Sequence, residues 1–552
     1  MASIGKAPRL ELVWPKKDEF LLSPKDATGK PVWVPRTHPA ASEVRLADFT
    51  GTCGEVGPDA DRAQDNLLFT GDSVDVLRIL AEHPQFRQYY RGQVKCVYLD
   101  PPFNTGQAFE HYDDWMEHST WLSFMRDRLL LVKELLAPDG TIWVHLDDVE
   151  QHRMRCLLDE VFGAQNFITS VVWQKLYARK SNTRISTSHD TIVCYARDEK
   201  RFAANLLAAT PELLARYKNP DDDARGPWQS VSFHVRTDNP ERRGEYRYEI
   251  TLPSGRRVGP PAGRHWNGKV ERYERMLQEG MLWFGPAGDA LPRLKMFLKP
   301  EEIGLVANTW WERIEVGDND ESKSEVQRLF PGVQDVFQTP KPERLLQRIL
   351  HIASAPGDLV LDCFAGSGTT AAVAHKMRRR WVTTEVLPST VEQFARTRLE
   401  KVVNGSDDGG VSKDVGWAGG GGFRSLTVGR SMYEVAPNGT PLLADWATNG
   451  RFARGVAAQL DFEFDEDGTP FCGRRGRMRL AVLDGAVGPE EARTFAATLG
   501  EDERVTIVAK VVLPGAEEML GVLSRGSRIR KAPRDLLADG SRRARRKEAV
   551  AP

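Results

Sequence analysis

The chain has 552 residues, 41% hydrophobic and 28% charged, with a net charge of −1. That describes a globular chain of roughly two or three domains with no apolar run able to cross a membrane, and it is not an overall polycation, so any grip on nucleic acid has to come from local charge. Six scattered cysteines without a CxxC pair exclude a zinc ribbon or a disulfide framework, and the first twenty residues lack the apolar core of a secretion signal. A cytoplasmic protein without a metal site is therefore expected.

In chain order, residues 1–64 are rich in proline and charge and read as an irregular N-terminal arm. A first strand is expected at Leu67–Thr70, followed by a helix over SVDVLRILAEH (73–83). VKCVYLD (94–100) is a short apolar run of the kind that forms a buried parallel strand. It ends in Asp100-Pro101-Pro102-Phe103, a stiff loop that offers a carboxylate, a carbonyl and an aromatic ring where open α/β sheets place their ligands. STWLSFMRDRLLLVKELL (119–136) predicts a helix capped by Ser119 or Thr120 and ended by Pro138-Asp139-Gly140. Strand TIWVHL (141–146), helix 148–162 and strand 190–196 continue the alternation of a parallel sheet. His145, Asp147, Asp148 and His152 fit a strand-to-helix junction better than a metal cluster.

From 201 to 305 the alternation stops. Residues 225–300 hold 14 Lys/Arg against 8 Asp/Glu, with Trp228, Phe233, Tyr246, Tyr248, Trp266 and Trp283 interleaved. Arg236, Arg242, Arg243, Arg256, Arg257, Arg264 and Lys295 are the candidate phosphate or base contacts. A solvated charged face over core aromatics is the alternative reading.

The α/β alternation returns over 306–403. Asp362-Cys363-Phe364-Ala365-Gly366-Ser367-Gly368-Thr369-Thr370 follows an apolar strand and opens a helix, so its glycines can bring backbone close to a ligand. Glu385, 17 residues past Gly368, ends the next strand, where it could bond a ribose diol. This pattern alone also fits NAD and an oxidoreductase, but it is no P-loop, for no Gly-Lys-Ser/Thr follows. Residues 404–422 are glycine-rich and read as a linker, 423–538 as a small α+β domain, and 539–552 as a basic tail able to add non-specific DNA affinity.

Taken together, YLDPPFNTG (98–106), VLDCFAGSGTT (360–370) and PKPERLLQRIL (340–350) resemble β-class amino-methylating DNA methyltransferases. NLLFTGDSVDVL (66–77), WLSFMRDRL (121–129), APDGTIWVHLDD (137–148) and EVFGAQNFI (160–168) extend the likeness to the Mod subunits of type III restriction–modification systems. The resemblance spans about Asn66 to Val403. It implies a Rossmann-like, circularly permuted sheet from residues 65–200 and 306–403, interrupted by a target-recognition domain. It implies S-adenosyl-L-methionine (AdoMet) as cofactor, held by the Asp362–Thr370 loop and Glu385, with Asp72 near its adenine and Lys341 near its methionine end. Asp100, Pro101, Pro102 and Phe103 would be catalytic, acting on adenine N6 of double-stranded DNA. Cytosine-N4 methylation, or a recognition subunit serving a nuclease–helicase partner, are the alternatives, and a homodimer is a possible assembly. The chain departs from the family pattern in Phe103, where tyrosine is commoner, and in TTEV, where a glycine often precedes the acid.

Overall fold

Short apolar runs alternating with amphipathic helices need a sheet covered on both faces, and the chain builds one. The computed structural model describes every residue other than 1–10, 24–29, 106–107, 110–111, 114–115, 179–182, 237–243, 300–302, 334–336, 437–439 and 539–552. Arg242, Arg243 and the basic tail lie outside the described residues.

Ten strands share one mixed sheet: β1 (Ala47–Gly54), β2 (Asn66–Thr70), β3 (Val94–Leu99), β4 (Leu136–Leu146), β5 (Phe167–Gln174), β6 (His189–Ala196), β7 (Trp310–Trp311), β8 (Leu359–Asp362), β9 (Arg380–Glu385) and β10 (Gly422–Val428). Across the sheet they run β7, β5, β6, β4, β3, β8, β9, β2, β10, β1. The six from β4 to β10 are parallel, while β6 and β1 pair antiparallel at either side. β8, from late in the chain, therefore sits beside β3, from early in it. That is the cyclic order the sequence implied. All four residues of β8 are buried, and all of β3 except Lys95.

Helices α1 (Ser73–Glu82), α2 (His118–Leu135), α3 (Gln151–Phe162), α4 (Asn319–Leu329), α5 (Glu343–Ala353), α6 (Thr369–Lys376) and α7 (Thr397–Val403) pack around this sheet. The cap of α2 is Glu117, not Ser119 or Thr120: its carboxylate accepts from the backbone N–H groups of both, at 3.0 and 3.3 Å. A carboxylate reaches two orphan donors where a hydroxyl reaches one.

Three expected boundaries shift. Residues 47–54 of the expected arm form the edge strand β1. Residues 422–428, straddling the expected start of the C-terminal domain, form β10, paired with both β1 and β2. The stretch before it is not a solvated linker: Asp407, Val411 and Ser412 are buried. Lys376, at the end of α6, bonds both oxygens of Glu343 at 2.8 Å and pairs with Asp407 of this stretch at 2.7 Å, while Arg398 reaches Glu343 at 2.8 Å. Four buried charges that neutralise one another need that loop in place.

Beyond β10, five strands, β11 (Glu463–Phe464), β12 (Gly473–Arg475), β13 (Met478–Val487), β14 (Arg504–Val512) and β15 (Arg528–Lys531), form a second sheet in sequential order. Alternate residues feed two cores. Leu480 and Val508 join Phe452 and Val456 on one face, while Ala481, Ile507 and Ala509 join Ala492 and Leu520 on the other. Glu43 ties this sheet's surroundings to the first, accepting from Met432 N–H at 2.7 Å and Ser431 Oγ at 2.6 Å.

Residues Asn205–Ala307 are a separate compact unit, inserted between β6 and β7. It contains a three-stranded antiparallel sheet, two short ribbons and a helix over Val270–Gln278, around Phe233, Ile250, Leu252, Trp266, Tyr273, Leu282 and Phe284.

Candidate active site

β3 and β8 are adjacent and parallel, with Leu361 opposite Val97, so Asp100 and Asp362 emerge at the same edge of the sheet. From β3 the chain turns through α2 to β4; from β8 it turns the opposite way through α6 to β9. A cleft opens where successive connections diverge, at the carboxyl ends of the strands.

The Asp100–Phe103 loop is held from several directions. The indole of Trp121, fully buried on α2, donates to the Pro102 carbonyl at 2.8 Å. Asn104 follows with φ +63°, a left-handed conformation that asparagine tolerates better than most residues. Its amide donates to Glu150 at 2.6 Å and its carbonyl accepts from Met116 N–H at 2.7 Å. Lys341 Nζ donates to Asp100 Oδ2 at 2.5 Å. Asp100 Oδ1 is buried and has no hydrogen-bond partner among the described residues.

Behind the loop, the Phe103 ring lies on the His145 imidazole with centroids 5.8 Å apart and planes 29° apart. His145 is fully buried on β4, and burial lowers its pKa from the ordinary 6.5 against the pull of Asp190. The ring is therefore neutral, with one donor and one acceptor nitrogen. Nε2–H points to the Asp190 carboxylate at 3.2 Å, which leaves Nδ1 to accept from the Tyr98 hydroxyl at 2.8 Å.

In the glycine turn, Gly366 (φ +49°) and Gly368 (φ +79°) take left-handed conformations. A Cβ on Gly366 would come within 2.8 Å of the Phe337 ring, and one on Gly368 within 3.2 Å of the Ala395 backbone. Glu385 closes the turn from β9, accepting from Gly366 N–H at 3.1 Å and Leu387 N–H at 3.2 Å. Ala365 N–H bonds the Thr384 carbonyl at 3.0 Å. Ser367, Thr369 and Thr370 point inward: Ser367 and Thr369 hydroxyls meet at 3.2 Å, and Arg398 donates to Thr369 at 2.8 Å. Burial, with the negative charges of Asp100 and Glu385 adding to it, pushes Asp362 up to about 7, and burial also raises Glu385. Asp72 caps α1 through Val74 N–H at 2.8 Å and accepts from Arg128 at 2.7 Å. The Arg128 guanidinium lies 3.5 Å from the Phe124 ring centroid, and that ring packs against Phe364 at 5.9 Å. Asp72 and the glycine turn thus share one contiguous wall.

Residues 94–396, more than half of the chain, match the family model for N6/N4 DNA methylases. The chain belongs to the DNA methylase family. The StyLTI Mod subunit, a type III restriction–modification enzyme of Salmonella typhimurium LT2, is 32% identical over 55% of this chain and 49% of its own length. The probable HindVI Mod subunit of Haemophilus influenzae is 27% identical over 68% of this chain and 56% of its own length. The type II methyltransferase M.EcaI of Enterobacter cloacae is 31% identical over 57% and 65%. The chain matches between about half and two thirds of these relatives' lengths.

The residues expected to touch DNA divide. Arg236, Arg256, Arg257 and Arg264 are exposed, with Arg256 paired to Asp289 at 2.9 Å and Arg257 to Glu249 at 3.5 Å. Lys295 is not available to a phosphate: it is buried, bonded to Asp221 and to Asp223 at 2.7 Å, beside the Trp228 ring. On its strand, Arg293–Phe297, Lys295 is the one buried position. Trp228, Trp266 and Phe233 are likewise core.

Sequence reading missed Trp121, Arg128, Asn104, Glu150 and His145 as supports of the candidate site. All of them except Glu150 lie within the family-like segments. No local signal pointed to what they hold.

Proposed function

We propose that the protein is a site-specific DNA methyltransferase that moves a methyl group from AdoMet to N6 of a flipped-out adenine, and that it is the modification subunit of a type III-like system with a helicase–nuclease partner. The observation that carries this reading is the Asp100 Oδ1 atom. A buried carboxylate oxygen without a donor costs free energy unless a ligand supplies one.

An exocyclic amine carries two protons and a lone pair delocalised into the ring. Asp100 Oδ1 and the Pro101 carbonyl, both acceptors, bond those protons and hold the nitrogen in a more tetrahedral form. Positive charge that builds on the nitrogen during transfer is then met by a carboxylate already in place. Phe103 offers its ring to the extruded base, returning on the order of 1–3 kcal/mol of stacking against an unpairing cost of similar size. Pro102, anchored by Trp121, keeps ring and acceptor in register.

The residues opposite fit AdoMet. Left-handed Gly366 and Gly368 let the turn close against Phe337 and Ala395 where a Cβ has no room, Glu385 retains lone pairs for a ribose diol, and Asp362 offers a carboxyl to a cationic ligand. Asp72 and Phe364 complete that wall toward the adenine end. When bound, AdoMet supplies an electrophilic methyl group on a sulfonium. Exposed Arg236, Arg256, Arg257 and Arg264 give the inserted unit a charge for phosphates.

The test is methyl transfer from tritiated AdoMet to DNA, with the product nucleoside identified by mass spectrometry. Asp100→Ala should lower kcat by about 10²–10³-fold or more while AdoMet still binds. Undiminished transfer by that variant overturns the reading. N6-methyladenine is the expected product, and N4-methylcytosine would move the assignment to cytosine.

A further inference from the structure

The sequence places Lys341 with the cofactor, yet the structure spends its ammonium on the catalytic loop. Nζ lies 2.5 Å from Asp100 Oδ2 and 5.2 Å from the Phe103 ring centroid, and the side chain is nine-tenths buried. One cation therefore touches both the acceptor and the stacking ring of the proposed reaction.

The base of this side chain is unusually fixed. Lys341 stands between Pro340 and Pro342. A following proline confines Lys341 to extended backbone, and each proline ring locks its own φ. Immediately after, α5 opens with Glu343, which is fully buried and held by Lys376 and Arg398. The lysine thus projects from an anchored helix start toward a partner 241 residues away.

We infer that Lys341 is a positioning residue for the methyl-transfer step, which fixes the Asp100 carboxylate so that Oδ1 alone is presented to the target amine. This rests on the functional reading above and adds a residue to it. Engaging Oδ2 selects one carboxylate rotamer, so the acceptor and the Phe103 ring are indexed to the same rigid element.

Lys341→Met, Lys341→Gln and Lys341→Arg, compared on the full chain for kcat and AdoMet Kd, test this. Lys341→Met should lose on the order of 10–100-fold in kcat at saturating AdoMet, with Kd for AdoMet changed by less than about 3-fold. Lys341→Arg, which keeps a cation that can reach Oδ2, should restore part of the rate. Lys341→Gln, which keeps a donor without the charge, should recover only a small part of it, and it carries the test if the methionine variant does not fold. Unchanged kcat in both uncharged variants overturns the inference. So does a tenfold or larger rise in AdoMet Kd whose rate defect vanishes at saturation, the result for a cofactor contact. If Asp100→Ala is inactive and the Lys341 variants are not impaired, only this inference fails; if Asp100→Ala is active, the functional reading fails with it.

Discussion

Cofactor binding should release a proton, and Asp362 should be its source. Burial pushes this carboxyl from its ordinary 3.8 up to about 7, so in the free protein it is mostly protonated below neutrality. AdoMet carries an ammonium and a sulfonium, and a cation brought beside Asp362 favours the charged form. If binding drives the carboxyl well below 6, about 0.9 proton leaves per cofactor bound at pH 6 and about 0.1 at pH 8. Affinity should then rise about tenfold per pH unit up to 7 and flatten above it. The stability of the free protein runs the other way. The proton is held more tightly in the folded state, so between about 4 and 7 stability falls as pH rises, by at most roughly 4 kcal/mol from this group. Glu385 is raised in the same sense, which makes a melting curve alone ambiguous.

Isothermal titration calorimetry at pH 6 in phosphate and in bis-Tris separates the sources. The difference in observed enthalpy, divided by the difference in buffer ionisation enthalpy, gives the proton count. Asp362→Asn should abolish most of it and leave affinity nearly independent of pH. Equal enthalpies in the two buffers, or proton uptake, would refute the idea that this buried carboxyl faces the cofactor's positive charge.

Two further variants probe what holds the site. Trp121→Phe removes the donor to the Pro102 carbonyl; a buried acceptor left bare costs about 1–3 kcal/mol, so kcat should fall about tenfold or more in the tritium assay while AdoMet affinity stays unchanged. Lys376→Met strips the buried Glu343 and Asp407 of their shared cation and should lower unfolding free energy in urea by about 3–5 kcal/mol. A loss under 1 kcal/mol would show that Arg398 alone neutralises the cluster.

What could be read from the sequence was what is contiguous in it. DPPF and the glycine turn each lie within a few residues, and the strand-then-helix rhythm around them is a local property, so the fold class and the two halves of the candidate site were visible. Pairings were not. Nothing near Lys341 reveals Asp100, and nothing in GFRSLTV tells whether that strand joins the first sheet or the second. Charge counting failed for a different reason. A surplus of arginine and lysine does not say which side chains point outward, and Asp221 and Asp223, beside the Trp228 ring, hold the Lys295 ammonium in the interior. The glycines of 405–422 were misread as slack. Gly410, at φ +52°, lets the backbone come against the Glu343 carboxylate, a place with no room for a Cβ.

Those long-range pairings also decide when the site exists. Asp100 and Asp362 become neighbours only when β8 inserts between β3 and β9. The late half of the chain also carries Lys341 to Asp100, and Arg398 holds the first turn of α6 through Thr369. The early half has the Asp100 carboxylate without its ion-pair partner, and the late half has the glycine turn without the strand beside it. A whole unit, Asn205–Ala307, can be inserted in the connection from β6 to β7 because that connection lies outside these pairings and every strand facing the cleft is already specified on one side of it or the other. The wide separation of the two motifs in sequence is thus compatible with tight geometry, since the sheet's hydrogen-bond register sets the distance between Asp100 and the glycine turn and the length of chain between them does not.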